Sequence, residues 1–415
     1  MTKRAIVVGG SISGLFAAAL LRRKGWQADV FERVDVELKG RGAGIVSHPE
    51  LLDILNESGA GTSDLGIQVN DRVLFDLDGN VIKHLHFPQI LTSWDRLQNL
   101  VRHVQPEGTY HLNHSLVGFE QDADGVTVRF QNGRVEKGDI LVAADGFRSA
   151  VRNILAPQVQ PIYAGYVIWR SVVEEADLEP ATHTAVFEKF TFFLEPGHEV
   201  VGYPIAGPNN DLRPGKRRYN FVWYRTINEK RLADMLTDAT GKKHAISIPP
   251  PLVRADVVQE MRDKAETFMT KPMLSVLHTV KSAFFTPIYD LACPSMAFGR
   301  VALIGDAAFV GRPHVGLGVT KGAADAKALA DALAQSGGDD VESGLRAFDE
   351  NRRPIGDLVV AKGRELGAFL DENGARGHVD GIDEHHQDKL LRETAADHFL
   401  RQYAAPGKAH HVAQD

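Results

Sequence analysis

The apolar positions of the first thirty or so residues change period twice. Ala5–Val8 is an unbroken apolar run of the kind that forms a strand buried on both faces. Ser13–Lys24 spaces its apolar residues at helical intervals, and Ala28–Phe31 alternates as a second strand. Residues 66–90 and 109–135 alternate as strands broken by turn signals at "DLDGN", "QDADG" and "QNGR". From Tyr163 to Tyr224 strand character dominates, dense with aromatics in "YAGYVIWRS", "VFEKFTFFL" and "YNFVWYR". "GRVALIGDAA" (299–308) then repeats the opening pattern, a buried strand ending at a glycine, and helical spacing returns through Ala323–Ala334. Residues 343–402 read as amphipathic helices and "APGKAHHVAQD" as a frayed tail.

This order predicts an α/β fold. A discontinuous Rossmann-type domain is expected over 1–70, 91–155 and 286–350, and an inserted β-sheet substrate domain over 71–90 and 156–285. C-terminal helices and a tail follow over 351–415. A chain of 415 residues has room for two cores. A net charge of −7 gives no basic footprint for nucleic acid. The single cysteine, Cys293, excludes an internal disulfide or thiol pair and suits a reducing cytoplasm. "MTKRAIVVGG" enters the first strand at once, so no leader is expected, and no apolar run nears the roughly 20 residues of a membrane helix. The oligomeric state is left open, a homodimer included.

Gly9, Ser11 and Gly14 follow G-x-G-x-x-G with the middle glycine replaced. Gly9 allows a tight turn and Gly14 a close helix–strand approach, while the N–H groups of the helix start, around Ile12 and Ser13, face a pyrophosphate. Glu32, at the end of the second strand with Arg33 beside it, is placed to accept from ribose hydroxyls. Such turns also occur without ligands. The loop suggests a dinucleotide without separating NAD from FAD.

Two later segments narrow the choice: "ILVAADGFRSAVR" (140–152) and "VALIGDAAFVGRPHVGLGVTKGAADA" (301–326). With the first loop they resemble, in order, the three motifs of the single-component FAD-dependent aromatic hydroxylases, the para-hydroxybenzoate hydroxylase-like family. "GRGAGIVSHPELLDIL", "YAGYVIWRSVV" and "NFVWY" look like its 2,6-dihydroxypyridine 3-hydroxylase branch. The resemblance implies bound FAD, NADH or NADPH as co-substrate, O2, and hydroxylation of an electron-rich hydroxylated ring through a flavin C4a-hydroperoxide. It implies that Asp306, after Gly305, bonds the ribityl chain and that Asp145 supports the cofactor, with Arg152 as its partner. Gly42, Ala43 and Gly44 would face the flavin, and Val117 joins the cofactor set. Gly316, Gly318, Val319 and Thr320 would present N–H groups and a helix dipole to the ring's N1–C2=O edge. The chain departs from the family at Phe309, where histidine is usual, at Thr320, often asparagine, and at Trp94, often arginine or glutamine.

Such chemistry needs a dry pocket with a group that orients and deprotonates the ring. His48 and His314, with reference pKa values near 6.5, are the candidate bases, the resemblance implies that Pro313 lies beside the flavin's reactive edge, and Tyr203 is a third candidate. Trp169, Phe190, Phe192 and Trp223 are candidate walls, although strand alternation turns about half of such a set away. The histidines show no metal-ligand spacing, so no metal is expected. A flavin-dependent reductase or oxidase of a bulkier substrate and a non-catalytic FAD-binding redox sensor remain alternatives.

Overall fold

The computed structural model describes residues 2–38, 44–337, 340–371 and 381–400, and three sheets organise them. In the first, Arg4–Val8 runs parallel to Ile140–Ala143 on one side and Gln27–Phe31 on the other, with Val7 opposite both Val142 and Val30. Val301–Leu303 extends it, Val301 facing Leu141. Ala5 to Val8 are all buried, which is why the run carries no polar residue. The helix Ile12–Arg23 packs on this sheet, and Gly318–Gln335 packs against that helix. An antiparallel ribbon of Leu116–Gln121, Val126–Phe130 and Val135–Gly138 adds Val126, Val128 and Phe130 to the same core.

The large sheet has nine strands, in the order Phe309–Val310, Phe284–Ala292, Ile162–Glu174, Arg218–Thr226, His198–Ile205, Phe190–Glu195, Ile67–Phe75, Val81–Ser93 and Gly44–Ser47. Neighbours are antiparallel except Phe190–Glu195 against Ile67–Phe75. Alternation sorts its side chains between two cores. Val167, Trp169 and Val173 join Phe221 and Trp223 on the side covered by the helices Ala255–Glu266 and Lys271–Thr279. Tyr166 and Ile168 join Val222 and Tyr224 on the side facing the parallel layer.

The layers interleave more than the expected segments allow. Gly44–Ser47 and the first four residues of Ile67–Phe75 lie within 1–70 in sequence, yet they hydrogen-bond into the large sheet, as do Phe284–Ala292 and Phe309–Val310. The chain crosses between layers along paired strands instead of linkers, so no compositional break marks the junction. The long helix Val341–Leu366 packs against Gly318–Gln335, and Glu384–Glu393 lies on the strand Ile67–Phe75. Among the described residues no helix is long and apolar enough to cross a membrane.

Candidate active site

Two cavities, of about 520 and 380 Å³, lie along the seam between the layers and share Ser11, Trp94, Ala144, Gly146 and Phe147 in their walls. The smaller is built by the first turn. Gly9 holds φ at +110°, and a Cβ there would stand 2.1 Å from the Ala144 carbonyl oxygen; a Cβ on Gly14 would stand 2.0 Å from that of Gly9. Only glycine permits either approach. Glu32 accepts from the N–H groups of Gly10 at 2.8 Å and Val34 at 3.1 Å, and with Arg33 it lines this cavity. Ser11 opens the helix Ile12–Arg23 without a side-chain cap, so the helix's first N–H groups face the space Ser11, Ile12 and Ser13 help to line.

The third motif aims Asp306 into the larger cavity. Asp325 accepts from Gly305 N–H at 3.0 Å while Lys321 donates to the Gly305 carbonyl at 2.9 Å, and Lys321 and Arg352 in turn pair with Asp325 at 3.0 and 2.9 Å. Held from both sides, Gly305 keeps φ at +60° and Asp306 follows. Asp306 lines the larger cavity with its side chain accessible from it. These surroundings push its carboxyl pKa up, the Lys321 ammonium opposing.

A second uncapped helix start faces the same space: Gly316, Leu317, Gly318 and Val319 line it, the first turn of Gly318–Gln335 holds no acid, and a Cβ on Gly318 would meet nothing. Thr320 instead turns its hydroxyl away, 3.0 Å from His48 Nδ1. Asp145 caps Ala150 and Val151 N–H at 2.8 and 3.2 Å, its second oxygen has no partner, and burial raises its pKa. Arg152 does not hydrogen-bond to it. The guanidinium donates to the carbonyls of Ala307 at 3.1 Å and Phe147 at 2.8 Å, tying the second motif to the third. The Val117 side chain is exposed on the ribbon, and its neighbour Leu116 lines the smaller cavity. Phe309 is buried beneath Gly356 of the long helix. Gly42 and Ala43 lie outside the described residues; Gly44 lines the larger cavity.

The catalytic candidates divide. Pro313 and Tyr203 line the larger cavity; neither histidine does. His48 is buried behind the wall between Thr320 and, at 3.4 Å, the Ala395 carbonyl. His314 is fully buried, with Nε2 3.0 Å from the Tyr166 hydroxyl, Nδ1 2.9 Å from Glu199, and its ring stacked on Tyr224 at 4.3 Å. Tyr203 donates to the Gly44 carbonyl at 3.0 Å, stacks on Phe190 at 4.8 Å, and is pushed up to about 12 by burial. Of the proposed walls only Phe190 lines the cavity. Phe192 stacks behind it at 4.9 Å. Trp169 and Trp223 point into the opposite core, where Trp223 donates to His198 at 3.3 Å, because their strand positions have the other parity.

The residues that replace them were passed over in the sequence. Arg170, Val222 and Tyr224 sit one position from the chosen tryptophans and line the chamber with Val201 and Ile288. The signal was present: Arg170 is the one charged residue within "YVIWRSVV". Thr394 and Ala395 complete the wall from far along the chain. Buried Arg72, over the Phe87 ring at 3.9 Å, donates to the carbonyls of Leu391 at 2.8 Å and Thr394 at 2.7 Å. Ala395 N–H donates to the His314 carbonyl at 2.7 Å. No local pattern announces such a strap.

An elongated, partly anionic ligand fits this seam: two uncapped helix starts, an unpartnered Asp145 oxygen and glycine-walled approaches lie along it. A family model described as FAD binding domain-like matches residues 163–290. The chain is 32% identical to a 2,6-dihydroxypyridine 3-monooxygenase of Paenarthrobacter nicotinovorans, over 90% of this chain and 93% of that one. It belongs to the FAD-dependent aromatic hydroxylases. A salicylate hydroxylase of Pseudomonas putida is 27% identical over 95% of this chain and 90% of its own length. The solved 2,6-dihydroxypyridine-3-hydroxylase of Arthrobacter nicotinovorans superposes with a TM-score of 0.84 at 31% identity, covering 90% of this chain and 94% of that one. Klebsiella pneumoniae HpxO, complexed with FAD and uric acid, shares the fold at TM-score 0.75 and 23% identity, covering 96% and 95%. This hydroxylase is therefore an FAD-dependent monooxygenase that uses NAD(P)H and O2.

Proposed function

We propose that this hydroxylase acts on a small hydroxylated N-heteroaromatic ring of the hydroxypyridine type. The observation that carries the reading is the larger cavity, where the uncapped start of Gly318–Gln335 and the Pro313 loop face a chamber of Phe190, Val201, Tyr203, Val222, Tyr224 and Ile288. Apolar and aromatic walls with few polar groups suit a flat ring and exclude water. The relative named for 2,6-dihydroxypyridine supports the same class.

In this reading the parallel layer holds the cofactor and the large sheet the ring. The start of Ile12–Arg23, with Gly9, Ser11, Ile12, Ser13 and Gly14, takes the pyrophosphate; Glu32, with Arg33, takes the adenosine ribose; Asp306 takes the ribityl hydroxyls. Gly316, Gly318 and Val319 offer N–H groups and a positive dipole to the ring edge, favouring negative charge there. FAD supplies hydride acceptance and oxygen activation when bound. With both histidines behind the wall, the described residues bring no imidazole to the cavity. Tyr203 stays protonated at neutral pH and positions rather than deprotonates. A reducing, cytoplasmic setting suits the lone buried Cys293.

The test is NADH and NADPH oxidation by the holoprotein across hydroxypyridines and phenols, with oxygen uptake and product yield measured together. Ring-stimulated oxidation matched by hydroxylated product is expected. Hydride uptake without oxygen incorporation would favour a reductase, and no stimulation by any ring a redox sensor.

A further inference from the structure

Arg170 sits mid-strand in Ile162–Glu174, between Val222 and Phe284 on the flanking strands, and is half-buried with its side chain at the larger cavity. Its nearby wall is Phe190, Val201, Tyr203, Val222 and Tyr224. The buried arginines of the fold are held by partners. Arg312 is bidentate to Asp290 at 3.0 and 2.9 Å, Arg217 pairs with Glu175 at 2.8 Å, and Arg72 and Arg152 donate to carbonyls. Arg170 makes no hydrogen bond or ion pair among the described residues. A half-buried guanidinium with no protein partner at the edge of an apolar chamber keeps its donors available to an incoming anion. On the same face, two residues before Val222, the buried Asn220 Nδ2 also lacks a partner.

The charges around Arg170 do not supply that anion. Tyr203 and Tyr224 feel its positive field, but burial holds both in the neutral form. On the strand His198–Ile205 the carboxylate is Glu199, engaged at 2.9 Å by His314. Asp290, on Phe284–Ala292, is claimed by Arg312 and Arg364, while Tyr289 of that strand is kept neutral by burial. Asp306 belongs to the opposite, cofactor-side wall.

We propose that Arg170 is the specificity-determining cation of this pocket and that it selects the ring in its ionised form, pairing with an oxyanion carried directly on the ring. The inference rests on the hydroxypyridine reading and deepens it. The ring hydroxyl loses its proton to bulk water before binding, and the arginine holds the resulting anion within the chamber. No protein base is needed for that step, which accords with the absence of histidine from the wall among the described residues.

The experiment titrates the FAD-loaded wild type, Arg170→Met and Arg170→Lys by changes in the flavin spectrum. The probes are 2,6-dihydroxypyridine, its neutral dimethoxy analogue and salicylate, over a pH range spanning the first ligand's ionisation. The wild type is expected to bind dihydroxypyridine more tightly as the ligand ionises. Arg170→Met should raise its Kd roughly 100-fold and remove that pH dependence, with Arg170→Lys restoring part of both. Affinity for the dimethoxy analogue should be unchanged, which a merely structural role would not give. Equal dihydroxypyridine binding by wild type and Arg170→Met at every pH overturns the proposal, as does a loss confined to salicylate, which would assign the arginine to carboxylates. If the methionine variant fails to fold, Arg170→Gln takes its place. A wild type that holds FAD yet neither binds nor hydroxylates any ring refutes the hydroxypyridine reading itself, a result distinct from these.

Discussion

At the scale of single residues, backbone geometry turns motif letters into function. Asp306 matters because Gly305 is fixed in a left-handed conformation by Asp325 and Lys321. Asp306→Ala should therefore lower FAD retention roughly tenfold, the size of one lost hydrogen bond to a charged group. Flavin content after gel filtration measures it, and unchanged content would remove Asp306 from the site. His314 is a different case. Its ring bridges Tyr166 and Glu199 in the core, so His314→Ala leaves a buried carboxylate unpaired and should destabilise the fold by about 3 kcal/mol in denaturant titration. Ring binding per folded molecule should stay close to that of the wild type. Both histidines were legible as neighbours of flavin motifs, but sequence carries no sign of whether a side chain in a turn faces a cavity or the core. Arg152 illustrates the same limit: beside Asp145 in the motif, it serves two carbonyls instead.

At the scale of elements, the strands of the inserted sheet were readable and their phase was not. Trp169 and Trp223 looked like walls because aromatics mark the strands, yet both faces of this sheet are buried, so hydrophobicity cannot tell one face from the other. Arg170 could have set the phase, since an unpaired charge within such a strand belongs where something charged arrives. The strap at 391–395 was beyond local reading, because its contacts with Arg72, Gln89 and His48 span 319, 306 and 347 residues. It closes the chamber with Thr394 and Ala395. Ending the chain at residue 380, or the substitution Arg72→Met, should open this wall to water. The peroxide released per NAD(P)H consumed should rise several-fold while FAD stays bound. A peroxide yield equal to that of the full chain would show that the strap does not seal the site.

At the scale of the whole molecule, the cofactor layer was the more legible part, since its glycines are demanded by approaches so close that an added Cβ would stand 2.0 Å from a backbone oxygen. The junction was less so, because paired strands cross it. The core on the far side of the large sheet makes the fold sensitive to acid. His198, stacked on Phe268 at 4.1 Å and accepting from Trp223, has its pKa lowered to about 3 by burial, with Lys264 and Arg225 adding to the effect. The folded state thus resists a proton that the unfolded chain takes up near pH 6.5. The stability this gives is complete above that value and is lost progressively as pH falls toward about 3, with a slope on the order of 1 kcal/mol per pH unit. His198→Phe should flatten that part of the stability profile measured by urea unfolding; an identical slope would assign the acid sensitivity elsewhere.

The central claim is that a ring held in the larger cavity receives one atom of molecular oxygen beside bound FAD. Turnover of the yellow holoprotein with NAD(P)H and 2,6-dihydroxypyridine under isotopically labelled O2, followed by mass measurement of the product, tests it most directly. A product carrying one labelled oxygen, formed in step with NAD(P)H consumed, is the predicted result. Unlabelled product, or reduction of the cofactor with the ring recovered intact, would contradict it.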